Sequence, residues 1–138
     1  VDMLDAPGNQ PWLTDVFTRA EVDLFASSHT CLPALRHCGE AGLVINNGAA
    51  GMPNFAGARF GVITRIAAAP APVEPIYAER LKGIRIEALA LDYDHGAWTR
   101  DFLANWPEHS PAYLSYWSRI QDGPSYRAVD AAPRANDA

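Results

Sequence analysis

The chain is short of cysteine and of positive charge and has no long apolar run, and each shortage removes a class of protein. Two cysteines, Cys31 and Cys38, cannot build the disulfide framework of a small secreted domain. Reduced thiols in a cytoplasmic protein are the expectation instead. No basic n-region and apolar h-region follow Val1, so no secretory signal is read there. No hydrophobic stretch approaches the roughly 20 residues that cross a bilayer, and no membrane partner is expected. Lys and Arg number 11 against 16 Asp and Glu, a formal net charge of -5. Such a surface repels a nucleic-acid duplex on average, so nucleic acid is not an expected partner. Signature motifs are missing too: no Rossmann glycine pattern, no P-loop ending in Gly-Lys-Ser/Thr, and no Gly-x-Ser-x-Gly elbow.

What is present suits one domain. The 138 residues are 49% hydrophobic and 20% charged, enough to bury a core. Pro11 opens a helix carrying Trp12, Leu13, Val16 and Phe17 at helical spacing, ending at Arg19-Ala20-Glu21. Val22 to Ala26 reads as a strand, followed by the polar group Ser27-Ser28-His29-Thr30. Strands are predicted at Ala34 to Cys38 and Leu43 to Asn46, joined by the hairpin-like Gly39-Glu40-Ala41-Gly42. A small-residue loop spans Asn46 to Gly51, and Arg59 to Ala67 is a strand rich in β-branched and aromatic bulk. The Pro-rich stretch Ala68 to Pro75 is a long extended connection, and Ile84 to Leu91 alternates as a half-buried strand.

The end of the chain reads as helical. Asp94 caps a helix with Trp98, Phe102, Leu103 and Trp106, closed by Pro107. Ser110-Pro111 opens another with Tyr113, Tyr116, Trp117 and Ile120 on one face. These aromatic stripes are core or subunit contacts. From Gly123 the chain turns polar and Ala/Pro-rich, so residues 123–138 are expected as a flexible tail behind a domain of residues 1–122.

The densest group of ligand-type side chains is Ser28-His29-Thr30-Cys31, with His37-Cys38 close behind. In an extended segment His29 and Cys31 project to the same side, and imidazole with thiolate suits Zn or Fe. Other segments must complete such a shell; a histidine simply satisfied in a loop is the competing reading. His37 and Cys38, as neighbours, point to opposite faces of a strand. A small structural zinc site from His29, Cys31 and Cys38 is a third possibility. In Asn46 to Gly51, successive small residues present backbone N–H groups to an oxyanion, although Asn47-Gly48 alone reads as a tight turn. Asp94 and Ser110 are explained as helix caps, and His95 as a solvated side chain beside one.

The order of these elements resembles the end of a calcineurin-like metallophosphoesterase. Members of that superfamily complete their metal site with a strand followed by Gly-His-x-His, commonly Gly-His-Thr-His-x-Pro, then a hairpin and an Asn-Pro-Gly-Ser-type loop. Here Ser28 stands for the Gly, His29, Thr30 and Pro33 match, and Cys31 replaces the second His. Asn46 and Gly48 match the later loop, with Asn47 in place of Pro. The similarity covers residues 15 to 67. The family's earlier motifs, Asp-x-His, Gly-Asp-x-x-Asp and Gly-Asn-His-Asp/Glu, are not found in the chain.

The resemblance therefore implies an α/β fold, the β-sheet-rich half of an α/β/β/α metallophosphoesterase sandwich with a C-terminal pair of helices. It implies two divalent metal ions, Mn, Fe or Zn, with His29 ligating one and Cys31 at the position of the other's ligand. Asn46 and Gly48 fall in the substrate or phosphate loop, and no catalytic side chain is carried by this chain. The implied activity is hydrolysis of a phosphate ester, as phosphodiesterase or phosphatase, by a longer parent protein. Two ions lower the pKa of a water and neutralise charge on the phosphoryl group, which reconciles a net charge of -5 with an anionic substrate. Cys31 admits two readings: a thiolate ligand, or a non-ligand in a mononuclear or degraded site. A non-catalytic scaffold or partner-binding module is the alternative. The implied partners are a small phosphate ester and the missing N-terminal half of the domain. The chain alone is expected to be inactive and to self-associate as a homo-oligomer through its uncovered sheet.

Overall fold

A computed structural model describes residues 2–133. A short helix, α1 (Asp2–Asp5), and a 3-10 turn at Pro7–Asn9 lead into α2 (Gln10–Ala20). Strands β1 (Leu24–Ser27), β2 (Ala34–His37) and β3 (Leu43–Asn46) follow, then β4 (Gly61–Ala67), β5 (Tyr77–Leu81) and β6 (Ile84–Leu91). Helices α3 (His95–Asn105), α4 (Pro111–Asp122) and α5 (Ala128–Ala131) complete the mixed α/β chain. Among the described residues no helix is long and apolar enough to cross a membrane.

The strands form two three-stranded sheets, ordered β1-β3-β2 and β4-β6-β5. In the first, β1 runs parallel to β3 with Leu24 opposite Leu43 and Ser27 opposite Asn46, while β2 is antiparallel to β3. In the second, all pairs are antiparallel. The period of two splits the first sheet cleanly. Leu35, Leu43 and Ile45 face a buried cluster shared with Val62, Tyr77, Ile86 and Ala88 of the second sheet. Phe25 and Val44, on the opposite face, pack with Leu13 and Phe17 of α2 and with Cys38. Leu13 and Phe17 lie one turn apart, so the single apolar stripe of α2 covers that face.

The helix starts follow their capping chemistry. Asp94 Oδ1 accepts from the Ala97 amide at 2.8 Å and Ser110 Oγ from the Tyr113 amide at 3.2 Å. Phe102 of α3 sits among Trp98, Trp106 and Trp117, with centroids 5.1 to 6.2 Å apart. His95 is not solvated as expected from its place beside a cap: its Nε2 donates to the Ile120 carbonyl at 2.8 Å, fastening α3 to α4.

Three expectations change. Strand β5 was not anticipated, because Tyr77-Ala78-Glu79-Arg80-Leu81 has no β-branched residue and two adjacent charges. It survives as an edge strand, delivered by the two-residue turn Lys82-Gly83 with φ of 48° and 87°. Strand β1 shifts from the expected Val22 to Ala26 to Leu24–Ser27, taking in Ser27, while β2 and β4 are trimmed to Ala34–His37 and Gly61–Ala67. Residues 123–133 do not behave as a tail: Ala131 is fully buried and Tyr126 stacks on Phe55 at 6.2 Å. Residues 134–138 of that expected tail lie outside the described residues.

Arg36 explains why the C-terminal segment packs. It is 1% exposed on β2. Its Nε donates to Asp5 Oδ1 at 2.6 Å, and its terminal nitrogens donate to the carbonyls of Asp130, Ala131 and Ala132 at 2.6 to 3.0 Å. One guanidinium thus neutralises a carboxylate and satisfies carbonyls at the end of α5. Arg36→Ala removes these donors from the carboxylate and the carbonyls and is expected to lower the unfolding free energy by about 3–5 kcal/mol in urea denaturation. A loss below about 1 kcal/mol, the scale of an exposed pair, would contradict this role.

Candidate functional site at the carboxyl ends of β1 and β3

Because β1 and β3 are parallel neighbours, their carboxyl ends lie side by side, and each strand releases one of the two polar loops there. The carboxyl edge of a parallel pair is where α/β folds place ligands. The loop of residues 28–33 must cross over β3, because β1 and β2 flank that strand on opposite sides. It therefore passes over Asn46.

Asn46 is 7% exposed and its amide is spent inside the protein. Nδ2 donates to Ser27 Oγ and to the Ser28 carbonyl, each at 3.1 Å, while Oδ1 accepts from the Gly48 amide at 2.9 Å. The Asn47 amide donates to the Ser27 carbonyl at 3.1 Å. One side chain thus ties the His29 loop to the Asn46 loop. Gly48 has a φ of 69° and an added Cβ would run into Asn54 Oδ1 and Pro33 Cδ, so only glycine fits.

Asn54 is the residue that sequence reasoning passed over. It is fully buried, accepts from the Ala49 amide at 2.7 Å, and donates to the carbonyls of Ala49 and Met52 at 2.6 and 3.0 Å. Its place after Pro53 was the available signal, since asparagine beside proline is turn chemistry. The consequence corrects one expectation. The amides of Asn47, Gly48 and Ala49 are all committed internally and do not present a cradle to an oxyanion.

His29 and Cys31 depart from the extended geometry assumed for them. Both are left-handed, with φ of 86° and 54°, so the alternation that put them on one side does not apply. His29 is exposed, and among the described residues its ring nitrogens have no hydrogen-bond partner. Cys31 is half-buried with its Sγ 3.5 Å from the His29 carbonyl oxygen. Arg119 of α4 donates to the Cys31 carbonyl and pins the loop from above. No local signal points from Arg119 to a partner 88 residues away.

The remaining candidates are dispersed. Cys38 is 1% exposed, packed with Leu13 and Phe17 at the turn end of the β2–β3 hairpin, opposite the His29 end. A zinc site from His29, Cys31 and Cys38 is therefore not assembled. His37 faces away from Cys38 as expected, with Nε2 3.2 Å from Glu79 Oε2. Among the described residues no three His, Cys, Asp or Glu side chains converge on one point. Beside the two loops opens a cleft of about 440 Å³ lined by Ala26, Ser27, Ser28, Asn47, Ile63 and Thr64.

With this geometry in place, comparison adds no relative: no family model, curated protein or solved structure matches the chain. The resemblance to metallophosphoesterases rests on residues 15 to 67.

Removing the Asn46 amide leaves a buried N–H and a carbonyl without partners. Asn46→Ala is expected to destabilise by about 1–3 kcal/mol in urea unfolding and to speed hydrogen exchange at the Gly48 amide. Asn47→Ala, whose side chain makes no hydrogen bond among the described residues, should stay within about 0.5 kcal/mol.

Proposed function

We propose that this chain is the closing half of a metal-dependent phosphoesterase, a phosphodiesterase or phosphatase of the calcineurin-like kind. In this reading His29 is a metal ligand and the remaining ligands come from polypeptide outside the chain. The observation that carries it is the 3.1 Å hydrogen bond from Asn46 Nδ2 to the Ser28 carbonyl. It joins the two loops that the family resemblance requires to lie together. An α2 layer, two sheets with a common core and an α3–α4 pair are what half of an α/β/β/α sandwich would contribute.

The donor chemistry fits. A histidine binds a metal through a free ring lone pair, and the His29 ring is exposed and unpartnered among the described residues. Its left-handed backbone costs about 1–2 kcal/mol, and strain of this kind gathers at functional sites. When bound, two divalent ions, Mn, Fe or Zn, would supply positive charge for a phosphoryl group and bring the pKa of a water toward neutrality. The chain's own residues do the positioning. Asn46 fixes the Ser28 backbone that aims His29, and Gly48 lets Pro33 and Asn54 close beneath the loop. Cys31, with its sulfur against the His29 carbonyl, is either a second ligand or a packing residue. In the cytoplasm Cys31 and Cys38 stay reduced, as this role for Cys31 requires.

A second reading, a non-catalytic scaffold of the same ancestry, is favoured by one observation: the amides of residues 47 to 49 are spent internally. The test uses the longer parent polypeptide loaded with Mn²⁺ or Zn²⁺. Metal-dependent hydrolysis of a generic phosphate diester or monoester is expected. His29→Ala should cut kcat/KM by at least about 100-fold, since groups that merely support a metal ligand are worth about 10–100-fold. Cys31→Ser lowers bound metal only if the thiolate is a ligand. A folded, metallated parent without turnover contradicts the proposal, and well under one metal per chain after supplementation favours the scaffold.

A further inference from the structure

We propose that Arg80 and Arg85, on the outer face of the second sheet, form a binding site for a small oxyanion, a phosphate or phosphomonoester group. The two arginines are directly opposite one another across β5 and β6. Opposed side chains in an antiparallel pair stand about 4.5–5.5 Å apart at Cβ, and like charges there repel. The Glu87 carboxylate on this face is fully committed. Buried at 0% exposure, it accepts from Arg85 Nε at 2.8 Å, from Arg65 at 2.6 Å and from the Ala71 amide at 3.1 Å. The Arg85 hydrogen bond, opposed by burial and reinforced by Ala71 and Arg65, lowers the Glu87 pKa to about 2.

Arg80 is left over. Among the described residues its guanidinium has neither a hydrogen bond nor an ion pair. A cleft of about 170 Å³ is lined by both arginines together with Ala78 and Glu79. The two carboxylate oxygens of Glu79 are engaged by the Arg80 backbone amide at 2.8 Å and by His37 at 3.2 Å. The small side chain of Ala78 leaves that space open above the strand. Liquid water occupies about 30 Å³ per molecule, so the cleft holds a group of phosphate size. The planar fork of each guanidinium matches phosphate oxygens in pairs, and an anion between them turns a repulsive pair into a clamp.

This site is separate from the His29 loop. The β5–β6 turn meets the start of β1, where Lys82 Nζ lies 2.6 Å from Asp23 Oδ1, whereas His29 follows the end of β1. Its existence does not depend on the phosphoesterase reading.

The test titrates the metal-free chain with inorganic phosphate, and separately with phosphoserine, against chloride at equal ionic strength. Arginine Nε–Hε resonances and thermal unfolding are the readouts. Phosphate is expected to shift the Arg80 and Arg85 resonances and raise the Tm. Arg80→Gln, which breaks no internal bond, is expected to raise the Tm in chloride by relieving repulsion and to weaken phosphate binding about tenfold. His29→Ala should leave the affinity unchanged. The stronger of the two ligands tells whether the free or the esterified group is preferred. Phosphate affinity unchanged in Arg80→Gln, or resonances that move no further in phosphate than in chloride, overturns the proposal.

Discussion

The Asn46 amide ties together the two loops that leave β1 and β3. Its two donors and one acceptor reach Ser27 Oγ, the Ser28 carbonyl and the Gly48 amide, adding to the Asn47 amide on the Ser27 carbonyl and to the packing of Pro33 against Gly48. Parallel pairing brings the strand ends together, but it does not fix the loops that leave them. Gly48 and Asn54 then lock the second loop from below, and Arg119 holds the first from above. His29 is the exposed side chain delivered by this scaffolding.

Charge is handled by the same logic of committed donors. Arg36 and Glu87 are both buried, and each is tolerated because its hydrogen-bonding capacity is taken up by named partners. Arg36 collects carbonyls of the C-terminal segment and a carboxylate near the N-terminus, joining distant parts of the chain across β2. Glu87 is held by arginines of its own sheet and by the Ala71 amide, which fastens the proline-rich connection. Polar residues, as much as the apolar core, decide which segments lie together.

Much of the local structure could be read from the residues. Periodicity located α2, β3 and β6, and the caps Asp94 and Ser110 set the starts of α3 and α4. The hairpin joining β2 and β3 followed from its glycines. What escaped was whatever depends on distant partners. Strand β5 has no β-branched residue and exists because β6 offers it an edge. Arg36 sits in a strand of mixed polarity, and nothing nearby announces carbonyls 94 to 96 residues away. At the site, the two polar loops after β1 and β3 were each legible as loops. The left-handed turns at His29 and Cys31 and the internal use of the 47–49 amides were not, because they arise from contacts with Asn54, Arg119 and Ser27.

In the proposed function His29 is presented to a cation by the Asn46 scaffold, and His109 provides an internal control, since it too is exposed and left-handed, with a φ of 70°. Titrating the chain with Mn²⁺ and following paramagnetic broadening separates a built ligand from an ordinary surface histidine. The His29 ring and the Asn46 side-chain amide are expected to broaden together and well before the His109 ring. Equal broadening of the two histidines, or broadening confined to acidic side chains, would contradict that function.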